Sequence, residues 1–407
     1  MRKIILIMGA FAFLSGLFSC KSGDKVNYGK APGNIRVATF NTSLYRMKQG
    51  KLIQDLRSAD NEQASSIAEI IQRLRPDVLV LQEFDYDQNQ IALDLFCKNY
   101  LEKNQNGAPT IHYPFRIAFN SNTGIPSGFD LNKDGKINTP EDAFGYGEHP
   151  GQYAFAVISK YPFNKEEIRT FQKFVWNDMP EALVPTDTNG KAYYNDSVLS
   201  KFRLSSKNHV DLPIMVHEQK IHALISHPTP PVFDGPENRN GKRNHDEIRF
   251  WADYVDESRA RYIYDDFGSY GGLPTGEYFV LLGDMNADPE DGDSHNNAIN
   301  QLLNHPAFNQ KTTTGEYTPW SEGGAEYYEK NSIKDQTGNP KHHTSVFGLR
   351  LDYVLPSKNL RVTNSGIYWP PLDEEHSEII KNKKPSDHRM VWVDFKIPLN
   401  KILKDSI

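Results

Sequence analysis

Apolar positions in this chain gather into short unbroken runs, and most runs end in a polar cluster. Ile35 to Phe40, Val78 to Leu81, Tyr153 to Ile158, Lys220 to Ile225, Tyr278 to Leu282, Leu351 to Leu355 and Met390 to Phe395 read as strands. Runs this continuous predict strands buried on both faces. Helical spacing shows in Ser65 to Leu74, where Ile67, Ile70, Ile71 and Leu74 share one face and Pro76 stops the helix. Further helices are predicted at Ile91 to Leu101, Asp246 to Asp256 and Ala298 to Leu303. The opening strand, helix and strand are what an α/β sheet requires. No internal repeat or low-complexity tract breaks the pattern.

Chemistry concentrates where the runs end. Phe40-Asn41, Leu81-Gln82-Glu83, Ser226-His227-Pro228 and Gly283-Asp284-Met285-Asn286 each follow a predicted strand. Arg350-Leu351-Asp352-Tyr353 and Ser386-Asp387-His388 stand at the start of one. A carboxylate such as Glu83 behind an apolar strand is costly unless it is paired or bound to a metal. Hard cations such as Mg²⁺ favour oxygen donors, which Asn41 also supplies. Asp284 and Asn286 are two apart, so in extended chain they face the same side, where an acid can prepare water and an amide can hold an oxyanion. His388 needs a carboxylate to fix its tautomer, and Asp352 is the candidate. Each element alone has a plainer reading: Asn41 and Glu83 as strand-end turn residues, Asp284 and Asn286 as an Asx turn, Ser386 to His388 as a polar turn. His227 alone reads as a strand-end histidine.

Taken in order, the six segments resemble the endonuclease/exonuclease/phosphatase superfamily of metal-dependent phosphoesterases, which includes deoxyribonuclease-like enzymes. The resemblance implies an α/β (α+β) four-layer sandwich, two packed mixed β-sheets flanked by helices, with the site where strand ends meet. It implies Glu83 as main ligand of Mg²⁺ (or Mn²⁺), with Asn41 beside it and Asp387 completing the metal site. Asp284 would orient or deprotonate the attacking water, Asn286 would bind phosphate, and His227 would contact the scissile group. Asp352 would hold His388, which stabilises the transition state or protonates the leaving group.

Length and charge change this picture little. The 407 residues are 38% hydrophobic and 24% charged, with a net charge of -6. No broad basic field attracts nucleic acid, which favours a small or lipid phosphate ester over nucleic acid as substrate. The N-terminus reads as an export signal: Arg2 and Lys3, an apolar stretch from Ile4 to Phe18, then Leu17-Phe18-Ser19-Cys20 as a lipobox. The expectation is a signal peptide over 1–19, a lipid on Cys20 anchoring the chain to a membrane, and a polar tether over 20–33. An ordinary secretory signal and an uncleaved anchor are the other readings. Cys97 is then a lone packed thiol.

One domain is expected over 34–400, with insertions at about 104–150, 164–213 and 228–276. The first holds Asp130, Asn132, Asp134, Gly135, Lys136, Asn138 and Glu141 at the spacing of an EF-hand calcium loop, Lys136 giving its carbonyl. Pro126 and Gly128 oppose an entering helix, so the loop reads as an isolated structural Ca²⁺ site or a metal-free turn. Arg239, Lys242, Arg243 and Arg249 read equally as a phosphate clamp or a solvated helix start with Arg243 near Glu247. The leading function is an exported divalent-metal phosphoesterase attacking a mono- or diester with activated water. A nuclease of the same fold, and a non-catalytic calcium-stabilised surface-binding lipoprotein, are the alternatives.

Overall fold

The computed structural model describes residues 25–331, 336–383 and 385–398. The export and lipidation pattern, Arg2 to Cys20, and the start of the expected tether lie outside the described residues. Strands run in chain order as β1 (Ile35–Asn41), β2 (Val78–Gln82), β3 (Phe115–Phe119), β4 (Phe155–Ser159), β5 (Arg169–Thr170) and β6 (His209–Val216). Then come β7 (Gln219–Ser226), β8 (Tyr278–Asp284), β9 (Asp352–Pro356), β10 (Arg361–Ile367) and β11 (Val391–Lys396). They form a six-stranded sheet ordered β10-β11-β1-β2-β4-β3 and a five-stranded sheet ordered β5-β6-β7-β8-β9.

Two parallel pairs decide where the chemistry goes. β1 pairs parallel with β2, Asn41 opposite Gln82, and β7 pairs parallel with β8, Ile225 opposite Leu282. All other pairings are antiparallel, and β8 meets β9 with Asp284 opposite Asp352. Four strands therefore finish, and β9 and β11 begin, at one edge of the sandwich. The sheets face each other through β1 with β8 and β9, β2 with β8, and β11 with β9.

Alternation along the strands supplies both cores. Ile221, Ala223 and Ile225 of β7, with Val280 and Leu282 of β8, pack between the sheets. Leu224, Phe279 and Leu281 point the other way, onto Ile248 and Trp251 of the helix Arg239–Tyr254. On the opposite side the helix Glu62–Leu74 buries Ile67, Ile70, Ile71 and Leu74, and Asn61 caps it by accepting from Ala64 N. Helix, sheet, sheet, helix gives the four expected layers, and burial on both faces explains the unbroken apolar runs.

The fold adds to the sequence pattern in three places. β6 goes unannounced because Pro213 interrupts it and polar His209 and Asp211 alternate with Val210, Leu212 and Ile214. Pro213 lies beyond the two residues of β6 that β5 pairs with, and its carbonyl accepts Asn164 N–H at 2.9 Å. The helix expected from Asp246 begins at Arg239, and the helix expected over Ile91 to Leu101 turns into a π-helix over Cys97–Leu101. Finally, 25–33, the described part of the expected tether, lies on the first sheet. Val26 is buried, and Arg36, paired with Asp394 at 2.7 Å and stacked over Trp392, donates to the carbonyls of Tyr28 and Gly29.

Candidate active site

The common edge of the two sheets gathers the polar segments around one carboxylate. Asp284, 1% exposed at the end of β8, accepts Asn41 Nδ2 on Oδ2 at 3.0 Å. His227 Nε2 lies 3.5 Å and His388 Nε2 3.6 Å from the same oxygen. Its Oδ1 accepts the backbone N–H of Asn286 at 2.9 Å. Asn286 turns its amide to Pro228 O at 3.0 Å, tying the loop after β8 to the loop after β7. His388 Nδ1 donates to Asp352 Oδ2 at 2.8 Å, and Thr344 Oγ1 donates to that same oxygen at 2.7 Å.

Glu83, Asp387 and Asn286 occupy the rim, partly exposed where Asp284, Asp352, His227 and His388 are buried. Ser43 Oγ donates to Asp387 Oδ1 at 3.0 Å, and Ser386 Oγ reaches Asn41 O at 2.7 Å, fastening the start of β11 to the end of β1. Ser43, Glu83 and Asn286 all have positive φ, at 49°, 53° and 49°. Left-handed backbone at non-glycine positions costs of order 1 kcal/mol or more each and is retained where the surroundings fix it. Here it lets the chain turn sharply off a strand end while keeping the side chain at the cleft.

Electrostatics separate the two histidines. Burial disfavours the His388 imidazolium, but Asp352 and Asp284 outweigh it and raise the pKa well above the ordinary histidine range. Burial, with Lys207 and His388 nearby, holds His227 well below that range. One imidazole is thus a cation and its neighbour neutral, an arrangement that divides acid and hydrogen-bonding roles. Burial lifts Glu83 to about 7; His388 and Asn41 hold it down, while Asp284 and Asp387 push it further up.

The donors suit a divalent ion. Asp284, Asp352 and His388 each offer a ligand atom within 4.8 Å of the others. Glu83 and Asp387 add hard oxygen donors that have no Lys or Arg ion pair among the described residues, and the Asp387 charge acts on Glu83. Asn41 donates to Asp284 and receives Ser43 N–H on Oδ1 at 3.2 Å, so it orients carboxylates.

Away from this edge, Asp130 accepts the backbone N–H of Asp134 and Gly135, and Asn132 accepts that of Asp134. Gly135 has φ 86°, as the tight turn requires. No carboxylate of Asp130, Asp134 or Glu141 joins a metal-sized group, the Asp284, Asp352 and His388 set being the one found among the described residues. Lys136 and Asn138 lie exposed in the same loop. Arg243 is no phosphate clamp: it is buried and donates to the carbonyls of Leu204, Ser205, Phe144 and Arg203. Ser43 and Thr344, which hold Asp387 and Asp352, carry no mark in the sequence, since short hydroxyl residues in loops are common.

The sequence model of the endonuclease/exonuclease/phosphatase family matches residues 38–388. Similar solved structures include an endonuclease/exonuclease/phosphatase from Beutenbergia cavernae, 16% identical with TM-score 0.49, covering 89% of this chain and 72% of that one. The human Nocturnin catalytic domain with bound sulfate anion is 14% identical with TM-score 0.42, covering 90% and 95%. An AP endonuclease from Archaeoglobus fulgidus is 11% identical with TM-score 0.44, covering 89% and 100%. No curated protein matches the chain.

Glu83 makes stability pH-dependent. Its carboxyl is lifted from 4.5 to about 7 on folding, so its contribution is complete below 4.5 and is lost as pH rises through 7. In EDTA the melting temperature should fall between about pH 5 and pH 8, and Glu83→Gln should flatten that slope. A slope unchanged in Glu83→Gln, measured by differential scanning fluorimetry, contradicts the assignment.

Proposed function

The chain belongs to the endonuclease/exonuclease/phosphatase family, and on that premise we propose that it hydrolyses a phosphate mono- or diester with activated water. The observation that carries this is the meeting of Asn41, His227 and His388 on one oxygen of Asp284, with Asp352 behind His388. Glu83 and Asp387 are the residues that would hold Mg²⁺ or Mn²⁺, with Asp284 of the Asp/Asp/His set beside them. When bound, such an ion neutralises phosphoryl charge and orients the substrate.

The protein groups divide the remaining work. Asp284 accepts a proton from water as its oxygen bonds to phosphorus in line with the departing ester oxygen. Asn41 keeps that carboxylate turned toward the cleft. Neutral His227 and the Asn286 amide donate to phosphoryl oxygens, while cationic His388 stabilises the added charge and gives its proton to the leaving oxygen. Asp352 remains ionised and holds the imidazolium in place. A small or lipid phosphate ester fits the net charge of -6 better than a nucleic acid does.

Bis-nitrophenyl phosphate turnover with and without EDTA tests the reading. Activity should vanish with the chelator, and Asp284→Ala and His388→Ala should each lower kcat by roughly 100-fold or more with the fold intact. Absence of metal-dependent turnover on mono-, di- and nucleic-acid esters contradicts it, as does wild-type rate in either variant.

Two expectations outside the catalytic edge are part of the proposal. The Asp130 to Glu141 loop takes a structural Ca²⁺, which requires Glu141 to draw in toward Asp130 and Asp134. Millimolar calcium should then raise the melting temperature of wild type by about a few degrees and leave Asp130→Ala unmoved. Equal response in both sinks the site. The Leu17 to Cys20 pattern supports export and a lipid on Cys20. Cys20→Ala should shift the protein from the membrane fraction to the soluble one, and an unchanged distribution is incompatible with lipidation at that thiol.

A further inference from the structure

One buried cation beside the site has no ion pair among the described residues. Lys207, in the loop before β6, is 7% exposed. An ammonium carries three N–H donors. Among the described residues this one makes a single hydrogen bond, a long 3.4 Å contact to Pro228 O, and no ion pair. The same carbonyl accepts Asn286 Nδ2 at 3.0 Å, which places the ammonium beside the Asn286 amide. Burial lowers the Lys207 pKa while Glu247, Glu83 and Asp284 favour its charged form through space, and Lys207 in turn acts on His227.

The surroundings hold this lysine in place from three sides. Glu247, on the helix Arg239–Tyr254, accepts Ser206 N at 2.6 Å and Ser206 Oγ at 2.9 Å. Its other oxygen accepts Thr229 N at 2.7 Å, so one carboxylate fixes both the Lys207 loop and the loop after His227. Lys207 O accepts Asn122 N at 2.8 Å, and Asn208 Nδ2 donates to Asn120 O at 3.0 Å. A buried charge is costly unless it is paired and hydrogen-bonded. A backbone anchored this firmly keeps an under-bonded ammonium next to His227 and Asn286, where an anion would complete it.

We propose that Lys207 is a further catalytic residue, whose ammonium donates to a non-bridging oxygen of the substrate phosphoryl group alongside Asn286. The inference rests on the phosphoesterase reading and names a group that reading does not use. In this role the ammonium binds without giving up a proton, so no bond to nitrogen forms or breaks. The rival role is a counter-charge that only balances Glu83, Asp284 and Glu247.

Full-length wild type, Lys207→Met, Lys207→Gln and Lys207→Arg separate the two roles. The readouts are kcat and KM on bis-nitrophenyl phosphate with Mg²⁺, inhibition by inorganic phosphate, and melting temperature with and without phosphate. Lys207→Met and Lys207→Gln should lower kcat by about 100-fold, the scale of one oxyanion donor. Phosphate inhibition should weaken about tenfold, the worth of one charge-assisted hydrogen bond. Lys207→Arg should restore part of both. Without phosphate, Lys207→Met should melt no lower than wild type, since an unpaired buried charge has been removed.

Wild-type kcat and phosphate inhibition in Lys207→Met and Lys207→Gln overturn the proposal. So does failure of both to fold, or a lower melting temperature with both functional readouts unchanged, since either shows a structural counter-charge. If wild type hydrolyses no ester, the phosphoesterase reading falls by itself. The phosphate-dependent rise in melting temperature then still decides Lys207: present in wild type and lost in Lys207→Met supports anion binding, and equal in both contradicts it.

Discussion

The site depends on how the two sheets are set against each other, because Asp284 takes its contacts from both. Asn41 and His388 come from the first sheet, at the end of β1 and just before β11, while His227 and Asp284 itself end strands of the second. The apolar layer between the sheets therefore does more than stabilise the fold. Ile225 and Leu282 pack there just before His227 and Asp284, and Val37 stands on the same face of β1 as Asn41. Protein cores are close-packed, so a slip between sheets is resisted by every such contact. Parallel pairing of β1 with β2 and of β7 with β8 brings four strand ends to one edge, where a rigid scaffold can aim loop chemistry.

Depth then sorts the groups by task. Asp284, Asp352, His227 and His388 are buried, where charges interact strongly and hydrogen bonds fix orientation. Glu83, Asp387 and Asn286 lie at the partly exposed rim. The same burial that makes His227 neutral leaves His388 a cation, because only His388 has Asp352 behind it at 2.8 Å. Two identical side chains take different protonation states from different neighbours.

Much of this was legible in the amino-acid order. Strands buried on both faces leave unbroken apolar runs, and a polar residue at the end of such a run must have a purpose or a partner. That logic singled out Glu83 and Asp284, and the resemblance carried by the six segments in order added Asn41, His227 and His388. It could not locate β6, whose alternating face is polar toward the helix Arg239–Tyr254 and whose Pro213 reads as a break. Nor could it find Ser43, Thr344 or Lys207, whose value comes from neighbours far away in the chain. Arg243 shows the reverse case: its basic stretch reads equally as a phosphate clamp or a solvated helix start, yet it is buried and its guanidinium is occupied by four backbone carbonyls.

The central claim is that oxygen donors from separate strand ends form one seat for a hard divalent cation. Electron paramagnetic resonance of Mn²⁺ added to the full-length protein, wild type against Glu83→Gln and Asp387→Asn, tests it most directly. Wild type should bind the ion, with its signal changed by inorganic phosphate, and each variant should bind it far more weakly. Undiminished binding in both variants would contradict the account.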